Sequence, residues 1–272
     1  ILTGTLLVGS LVGCSAGGAS NSGSGSSDSS KITISGSTSV GPTMEILAED
    51  YQKANKGTTI EVQQVGSSAG ITNTIDGTSQ IGMSSRDLKD EEKSELKEYQ
   101  IAIDGIAVIT NSANKVKDLT LDQVKDIYTG KITNWKEVGG NDADIVVVSR
   151  EDGSGTRDGF QEIVGFESGD LTSNAQISDG SGNIKTTVQG NENAIGYISF
   201  GYLDDSINSV KIGGVEPKEE NVYNKKYPIS RPFLLVTKGD ATGDAKSFID
   251  YVLSDEGQNT IEKEGFMSVT QK

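Results

Sequence analysis

Three short loops rich in glycine and hydroxyl residues carry the residue types that could do chemistry in this sequence. They read G-S-T-S-V-G at residues 36–41, G-S-S-A-G at residues 66–70 and D-G-S-G-T at residues 152–156. Each follows a run typical of a strand and precedes a stretch with helical periodicity. The first amides of a helix lack carbonyl partners and carry partial positive charge, and hydroxyl groups add further donors. The pattern therefore indicates binding of a small anion.

A single arginine strengthens the third loop. Arg150 lies two residues before Asp152, and its planar guanidinium can form a paired contact with a tetrahedral oxyanion. Asp152 could orient that guanidinium. Taken singly, each loop is more simply an ordinary N-cap or turn. Three loops at the carboxyl ends of strands favour one shared site, because ligands of open α/β sheets gather there.

The composition excludes several classes of function. The chain has 272 residues, 24 Lys and Arg against 39 Asp and Glu, and a formal net charge of −15. Such a surface repels nucleic acid, so an anion must be held by local donors. There is no histidine, which removes Ser-His-Asp catalysis and His-ligated zinc. Neither a metal cluster nor a nucleophile with its base can be assigned, so we expect no enzyme, no cofactor and no metal.

Neither a nucleotide-binding motif nor a serine-hydrolase motif is complete in this sequence. Residues 36–41 have the spacing of a phosphate-binding P-loop, but Pro42 and Thr43 stand where Lys and Ser or Thr are required. Ser154 lies in D-G-S-G-T rather than G-x-S-x-G, and no histidine can activate it. The three loops therefore indicate binding rather than catalysis.

The order of elements predicts an α/β protein. Strand-like and helix-like segments alternate from Lys31 onwards, which implies a mostly parallel sheet with helices on both faces. About 240 residues are many for one sheet, so two lobes are expected. The charged residues 87–98 are predicted to form an exposed helix, and residues 243–264 to be mainly helical.

The first thirty residues are typical of a targeting segment rather than of a folded domain. Residues 1–13 are uncharged and largely apolar, as in the hydrophobic region of a signal peptide. They run into L-V-G-C, which resembles a bacterial lipobox with Cys14 as the lipidated residue. The alternative is a buried apolar strand with an incidental cysteine. Residues 14–30 are rich in Ser and Gly and predict a flexible tether. We expect an extracytoplasmic protein, anchored by lipid to the outer face of the cell membrane of a Gram-positive bacterium.

Several motifs together resemble one known family. They are G-S-T-S at residues 36–39, V-G-S-S-A-G at 65–70, I-G-M-S-S at 81–85, I-Y-x-G-K-I-x-N-W at 127–135, S-R-E-D-G-S-G-T at 149–156 and N-A-I-G-Y at 193–197. In this order and spacing the sequence resembles the phosphate-binding proteins of bacterial ABC importers, the PstS family. R-x-D-G-S-G-T is quite specific, whereas G-S-S-x-G alone is weak.

The resemblance implies a fold and a ligand. The fold is the two-lobe type II periplasmic-binding-protein fold, with lobe one formed by residues 31–109 and 232–272, lobe two by residues 110–231, and the ligand in the cleft between them. The implied partners are inorganic phosphate and an ABC permease with its ATPase, and a monomer is expected. The residues that the resemblance assigns to phosphate are Thr38, Ser39, Ser67, Ser85, Arg150, Ser154, Gly155 and Thr156, with Asp152 as the acid that orients Arg150.

One departure from the family pattern concerns selectivity. Many relatives carry an aspartate that accepts the proton of monohydrogen phosphate, and Ser85 takes its position here. A hydroxyl accepts a proton but does not repel sulfate as a carboxylate does. Asp152 or Asp87 could supply the missing carboxylate, and Arg86 could add positive charge or point to solvent. Binding of sulfate or molybdate on the same scaffold therefore stays open as an alternative. A role as a surface adhesin is a separate alternative, because surface lipoproteins can have second roles.

Overall fold

The computed structural model describes residues 30–270, so the predicted signal region, Cys14 and the tether up to residue 29 lie outside the described residues. The strands are β1 (Ser30–Gly36), β2 (Thr58–Gln64), β3 (Ile81–Ser84), β4 (Leu96–Asn111), β5 (Asp118–Leu119), β6 (Val146–Arg150), β7 (Gln176–Ser178), β8 (Ala194–Ser199), β9 (Ile207–Ser209), β10 (Lys211–Ile212), β11 (Ser230–Lys238) and β12 (Met267–Ser268). The helices are α1 (Gly41–Ala54), α2 (Ser67–Ile75), α3 (Asp90–Lys93), α4 (Leu121–Tyr128), α5 (Gly155–Val164), α6 (Ser181–Gln189), α7 (Glu219–Tyr223), α8 (Gly243–Leu253) and α9 (Asp255–Lys263).

A long curled sheet organises the molecule. Its strands follow the order β2-β1-β3-β11-β4-β8-β6-β7, with β9 and β12 added to β4. The outer strands at each end pair in parallel, as in β1 with β2 and β3 and in β6 with β7 and β8. In the middle, β11 runs antiparallel to β3 and β4, and β4 runs antiparallel to β8. The predicted α/β class and two-lobe fold are confirmed, with antiparallel strands between two parallel halves.

Two large apolar clusters fill the interior, and we call the parts of the chain around them lobe one and lobe two. The cluster of lobe one contains buried residues between 32 and 102 and between 233 and 266. The cluster of lobe two contains buried residues between 106 and 229, joined by Met267. Strand β4 enters both clusters, because its first half pairs with β11 and its second half with β8 and β9. Strands β4 and β11 are therefore the segments that connect the lobes.

The helix predicted over residues 87–98 is wrong. Only α3 is helical there, and β4 begins at Leu96. Residues 96–100 pair with β11 from Lys238 to Leu234, and Leu96 is buried against Leu234 and Val236. The predicted C-terminal helix is present but divided, since the hydroxyl of Ser254 ends α8 and caps α9 by accepting from the amide of Gly257. None of the helices within residues 30–270 has the length and apolar character that a membrane span requires.

Candidate functional site

The first two loops meet because glycine allows close contact between them. Gly36 ends β1 with φ +145°, and a Cβ on Gly70 of the second loop would stand 2.4 Å from Cα of Gly36. The carbonyl of Gly36 accepts from the amides of Val65 and Gly66, both at 2.9 Å. Helix α2 therefore begins beside the first loop. The hydroxyl of Ser37 accepts from the amides of Ser39 and Val40, which fixes the turn into α1.

The third loop approaches from lobe two. Ser154 caps α5 by accepting from the amide of Arg157 at 3.2 Å. The amide of Ser68 donates across to the carbonyl of Gly153 at 3.1 Å. A Cβ on Gly155 would stand 2.3 Å from Oγ of Ser67 and 2.8 Å from Oγ of Ser85. The N-terminus of α5 thus lies directly against the second loop and the end of β3.

Four hydroxyl groups from three segments form one network, which we call the hydroxyl cluster. Its members are Thr38, Ser39, Thr156 and Ser181. Oγ of Ser39 lies 2.8 Å from Oγ1 of Thr156 and 3.1 Å from Oγ of Ser181, and Oγ1 of Thr38 lies 3.1 Å from Ser181. Since hydroxyls both donate and accept, the cluster can rearrange its protons around an anion.

Arg150 binds the hydroxyl cluster from the end of β6. Its Nη2 donates to Thr38 at 3.0 Å and its Nη1 to Ser181 at 3.2 Å, and the side chain is buried. Below it, the hydroxyl of Tyr197 accepts from the Arg150 amide at 3.2 Å. Tyr197 stacks on Phe160 with ring centroids 4.0 Å apart. Tyr197 therefore fixes the backbone of Arg150, and the guanidinium touches both lobes.

The acid that orients Arg150 is Glu151, and the expected role of Asp152 is corrected. Both carboxylate oxygens of Glu151 accept from Arg150 at 2.7 Å. Burial alone would raise the pKa of Glu151, but the bonds from Arg150 and from the amide of Gly180 lower it below its usual 4.5. The Asp152 side chain is 93% exposed and pairs with Arg157 at 2.6 Å. Asp152 begins the turn and points outwards, whereas the Glu151 side chain points towards the guanidinium.

The other residues expected at the site lie together. Oγ of Ser67 lies 3.3 Å from Oγ of Ser85 and accepts from the Ser85 amide at 3.2 Å. Both side chains are buried, as are Ser39, Ser154 and Thr156. The structure thus brings Thr38, Ser39, Ser67, Ser85, Arg150, Ser154, Gly155 and Thr156 to one place between the lobes.

Ser181 is a site residue that sequence reasoning missed. It begins α6 after Gly180, which has φ +78°. The signal was present, since S-D-G-S-G at residues 178–182 follows a short strand and precedes a helix, as in the other loops. Strand β7 has only three residues, two of them exposed, so its pattern was too weak to recognise. Tyr202 also lies beside this site, and its hydroxyl donates to the carbonyl of Thr38 at 2.9 Å.

Arg86 neither points to solvent nor joins the hydroxyl cluster. It is buried and donates to both carboxylate oxygens of Glu92 at 2.7 and 2.8 Å. Its Nε lies 3.0 Å from Oδ2 of Asp158 in lobe two, an ion pair without the alignment of a hydrogen bond. Burial alone would lower the pKa of Arg86, but Glu92 and Asp158 raise it. Asp87 is exposed, so Arg86 joins the lobes beside the cleft and Asp87 stays outside.

A second buried arginine touches the hydroxyl cluster from the connecting strands. Arg231 of β11 donates from Nη2 to Oγ of Ser39 at 3.2 Å. Its Nε and Nη2 also donate to Oδ2 of Asp104 in β4, at 3.2 and 3.0 Å. Asp104 accepts in addition from the Ser199 hydroxyl and the Phe200 amide. Burial lowers the pKa of Arg231. The negative charge of Asp104 acts in the opposite direction, and the nearby positive charge of Arg150 lowers the pKa further. No local sequence pattern marks this pair, because both residues lie in apolar strands.

Comparison with known proteins places this geometry in a family. A family profile described as a PBP superfamily domain matches residues 16–256. The phosphate-binding protein PstS of Bacillus subtilis is 38% identical over 247 residues, which cover 89% of this chain and 82% of that protein. PstS of Borreliella burgdorferi is 30% identical, with 88% of this chain and 90% of that protein covered.

Solved structures agree with the sequence matches. A phosphate ABC transporter substrate-binding protein of Clostridium perfringens, solved with bound phosphate, is 64% identical with a TM-score of 0.87 and covers 88% of this chain and 100% of that chain. An ABC-type phosphate transport receptor of Vibrio cholerae is 39% identical with a TM-score of 0.76, over 88% of this chain and 100% of that chain. By fold, sequence and the convergence of its loops, this chain belongs to the PBP superfamily and, within it, to the PstS family of phosphate-binding proteins.

Proposed function

We propose that this protein captures inorganic phosphate outside the cytoplasm and delivers it to an ABC permease. The observation that carries the proposal is the contact of Arg150 with hydroxyls of both lobes, through Thr38 and Ser181. Charge-assisted hydrogen bonds to an anion contribute about 1.5–3 kcal/mol each. Micromolar affinity needs only about 8 kcal/mol, so a few helix N-termini and one guanidinium suffice. The relatives named for phosphate binding support the same ligand.

The residues proposed to hold phosphate are those that the structure gathers between the lobes. They are Thr38, Ser39, Ser67, Ser85, Arg150, Ser154, Gly155 and Thr156, with Ser181 added from α6. Glu151 replaces Asp152 as the positioning residue of Arg150. Closure of the lobes would complete the site, since the hydroxyls of Ser39 and Thr156 come from opposite lobes and lie 2.8 Å apart. Opening would release phosphate to the permease.

Titration calorimetry tests the ligand. Protein stripped of phosphate is titrated with phosphate and with sulfate, and the Arg150→Lys and Ser181→Ala variants are compared with Ser79→Ala. Ser79 is a buried serine bonded to Ser35, away from the hydroxyl cluster. We expect tight binding of phosphate, strong weakening by Arg150→Lys and Ser181→Ala, and no change by Ser79→Ala. Absence of phosphate binding by the unaltered protein would refute the proposed function.

The same titration decides between phosphate and sulfate. The carboxylates of Glu151 and Asp104 are paired with Arg150 and Arg231. They therefore do not accept the proton of the bound anion. Selectivity then depends on hydroxyls, such as that of Ser85, that accept the proton of monohydrogen phosphate. Equal affinity for sulfate would make the protein a general binder of tetrahedral oxyanions.

We also propose a lipid anchor on Cys14. The proposal rests on the apolar residues 1–13, the L-V-G-C motif and the Ser- and Gly-rich residues that follow. In bacteria that export the protein, it should partition into the detergent phase, and Cys14→Ser should shift it to the aqueous phase. A detergent-phase Cys14→Ser protein would contradict the anchor, with Ser24→Ala in the tether as the matched control.

A further inference from the structure

Arg231 reaches the candidate site from the strands that connect the lobes. It lies in β11, and its partner Asp104 lies in the paired strand β4, with Arg231 opposite Asp104 in the register. The Arg231 side chain is 2% exposed and that of Asp104 is fully buried. Oγ of Ser39, a residue proposed to hold phosphate, accepts from Arg231 at 3.2 Å. The hydroxyl cluster therefore contacts two arginines, Arg150 and Arg231.

The donors of Arg231 are only partly used. A guanidinium presents five N–H groups in a rigid planar fork. One edge, formed by Nε and Nη2, faces Asp104, and the other hydrogen of Nη2 serves Ser39. Nη1 is buried and has no hydrogen-bond partner within residues 30–270. Buried polar groups of folded proteins are normally paired, so a buried cationic donor without a partner points to a ligand.

The planarity of the guanidinium indicates where Nη1 lies. Nη1 and Nη2 form the end of the fork, and their outer N–H bonds run side by side. Because Nη2 donates to Ser39 from this end, Nη1 lies next to the hydroxyl cluster rather than on the Asp104 side.

We propose that Arg231 is a second cationic residue of the phosphate site, which donates through Nη1 to the bound anion while Asp104 holds its guanidinium in place. This inference rests on the proposed function. An anion between Arg150 and Arg231 also relieves the repulsion between their positive charges. Phosphate is thereby bound by both lobes and by a strand that connects them.

A purely structural role is the competing explanation. The Arg231–Asp104 pair joins β11 to β4, and the guanidinium lies 5.5 Å from the ring centroid of Phe233. If this were its whole role, loss of Arg231 would lower the melting temperature and leave phosphate binding by the folded protein unchanged.

The Arg231→Lys variant separates the two roles. Lysine keeps the positive charge for Asp104 but has a single nitrogen, which cannot serve Asp104, Ser39 and the anion from three directions. By calorimetry at pH 8, where phosphate is mainly a dianion, we expect about ten- to hundredfold weaker binding. The loss should be smaller at pH 6, where the monoanion predominates. Ser79→Ala, with unchanged affinity, is the matched control for a buried polar side chain in lobe one.

The outcomes distinguish this inference from the proposed function. If the unaltered protein binds phosphate and Arg231→Lys binds within twofold of it at both pH values, the inference is overturned and the proposed function stands. If the unaltered protein binds no phosphate, both are overturned.

A measurement on the unaltered protein tests the inference without requiring that the Arg231→Lys variant folds. With isotope-labelled arginine, phosphate should shift the guanidinium NMR signals of both Arg150 and Arg231. A shift of the Arg150 signals alone would overturn the inference even if Arg231→Lys does not fold.

Discussion

Replacing Gly155 with alanine should prevent closure of the lobes and so weaken phosphate binding. Gly155 is the first residue of α5 in lobe two, and it faces Ser67 and Ser85 of lobe one. A Cβ there would stand 2.3 Å from Oγ and 2.8 Å from Cβ of Ser67, where ordinary contact begins at 3.4 Å. Gly155 is not among the glycines with positive φ, so alanine fits its backbone, and the conflict lies between the lobes.

The size of the effect follows from that overlap. The two loops must separate by about 1 Å, and overpacking of this kind costs roughly 1–3 kcal/mol. Since a tenfold change in affinity corresponds to about 1.4 kcal/mol, phosphate should bind about 5- to 150-fold more weakly. The stability of the phosphate-free protein should change little, because the lobes can relieve the overlap by opening.

Two glycines in matched positions serve as controls. Gly159 lies in the same helix, and a Cβ there would meet its nearest atom, Cδ of Arg231, at an ordinary 3.5 Å. Gly182 lies in the first turn of α6, and a Cβ there would meet nothing within 4 Å. Alanine is favoured over glycine in helices, so Gly159→Ala and Gly182→Ala should fold normally and bind phosphate as the unaltered protein does.

Calorimetry gives the affinities, and small-angle scattering gives the compaction on adding phosphate. We expect Gly155→Ala to lose both affinity and compaction. If Gly155→Ala binds phosphate as tightly as the two controls, contact between Gly155 and the second loop is not part of the binding form, and the reasoning from the closed cleft is wrong.

Three further predictions concern the charged residues around the cleft. Glu151→Gln should lower the melting temperature of the phosphate-free protein, because it leaves the buried guanidinium of its partner without a carboxylate, whereas Asp152→Asn should not change it; equal effects in calorimetric scans would contradict the assignment. The pKa of Glu151 and of Glu92 is lowered on folding from 4.5 by their arginine partners, against burial, which would raise it. Their stabilisation is therefore full above pH 4.5 and lost as the pH falls through their folded pKa values, so in urea titrations Glu92→Gln should lose less stability on acidification than the unaltered protein. Asp158→Asn should speed phosphate release in stopped-flow measurements by about two- to fivefold, because it removes a partly exposed ion pair between the lobes; Asp142→Asn, which removes an exposed pair within lobe two, should have no effect, and equal rates for the two variants would exclude a role in closure.

The residues of the site were predictable where a local pattern carries the chemistry. The loops at Thr38, Ser67 and Ser154 each combine a strand end, small residues and a helix start, and Gly70 and Gly155 allow the loops to touch. Their meeting at one place was expected from the rule that ligands gather at the carboxyl ends of strands.

Other parts of the site depend on contacts that no local pattern contains. Glu151 and Asp152 are neighbours with the same charge, and only the direction of the turn decides that Glu151 reaches Arg150 while Asp152 faces solvent. Arg231 and Asp104 are 127 residues apart, and their burial follows from the pairing of β4 with β11. Charged residues in a sequence are predicted to lie at the surface, so a buried ion pair of this kind is not predicted.

The helix wrongly predicted over residues 87–98 shows the same limit for secondary structure. The run of Asp, Glu and Lys has helical propensity, but it offers no apolar stripe to bury. Leu96 instead packs beside Leu234, and the strand that begins there pairs with β11. Pairing with a strand more than a hundred residues later therefore outweighs the local preference.

The position of β11 in the sheet has a consequence for biosynthesis. β11 lies between β3 and β4, so the sheet of lobe one has a gap until residues 230–238 have been made, whereas the cluster of lobe two needs little beyond residue 229. A chain emerging from a ribosome or a translocation pore can thus complete lobe two first, and lobe one must wait until β11 has been made. Nascent or truncated chains that stop before β11 should expose the unpaired edges of β3 and β4 and depend on chaperones or fall to proteases.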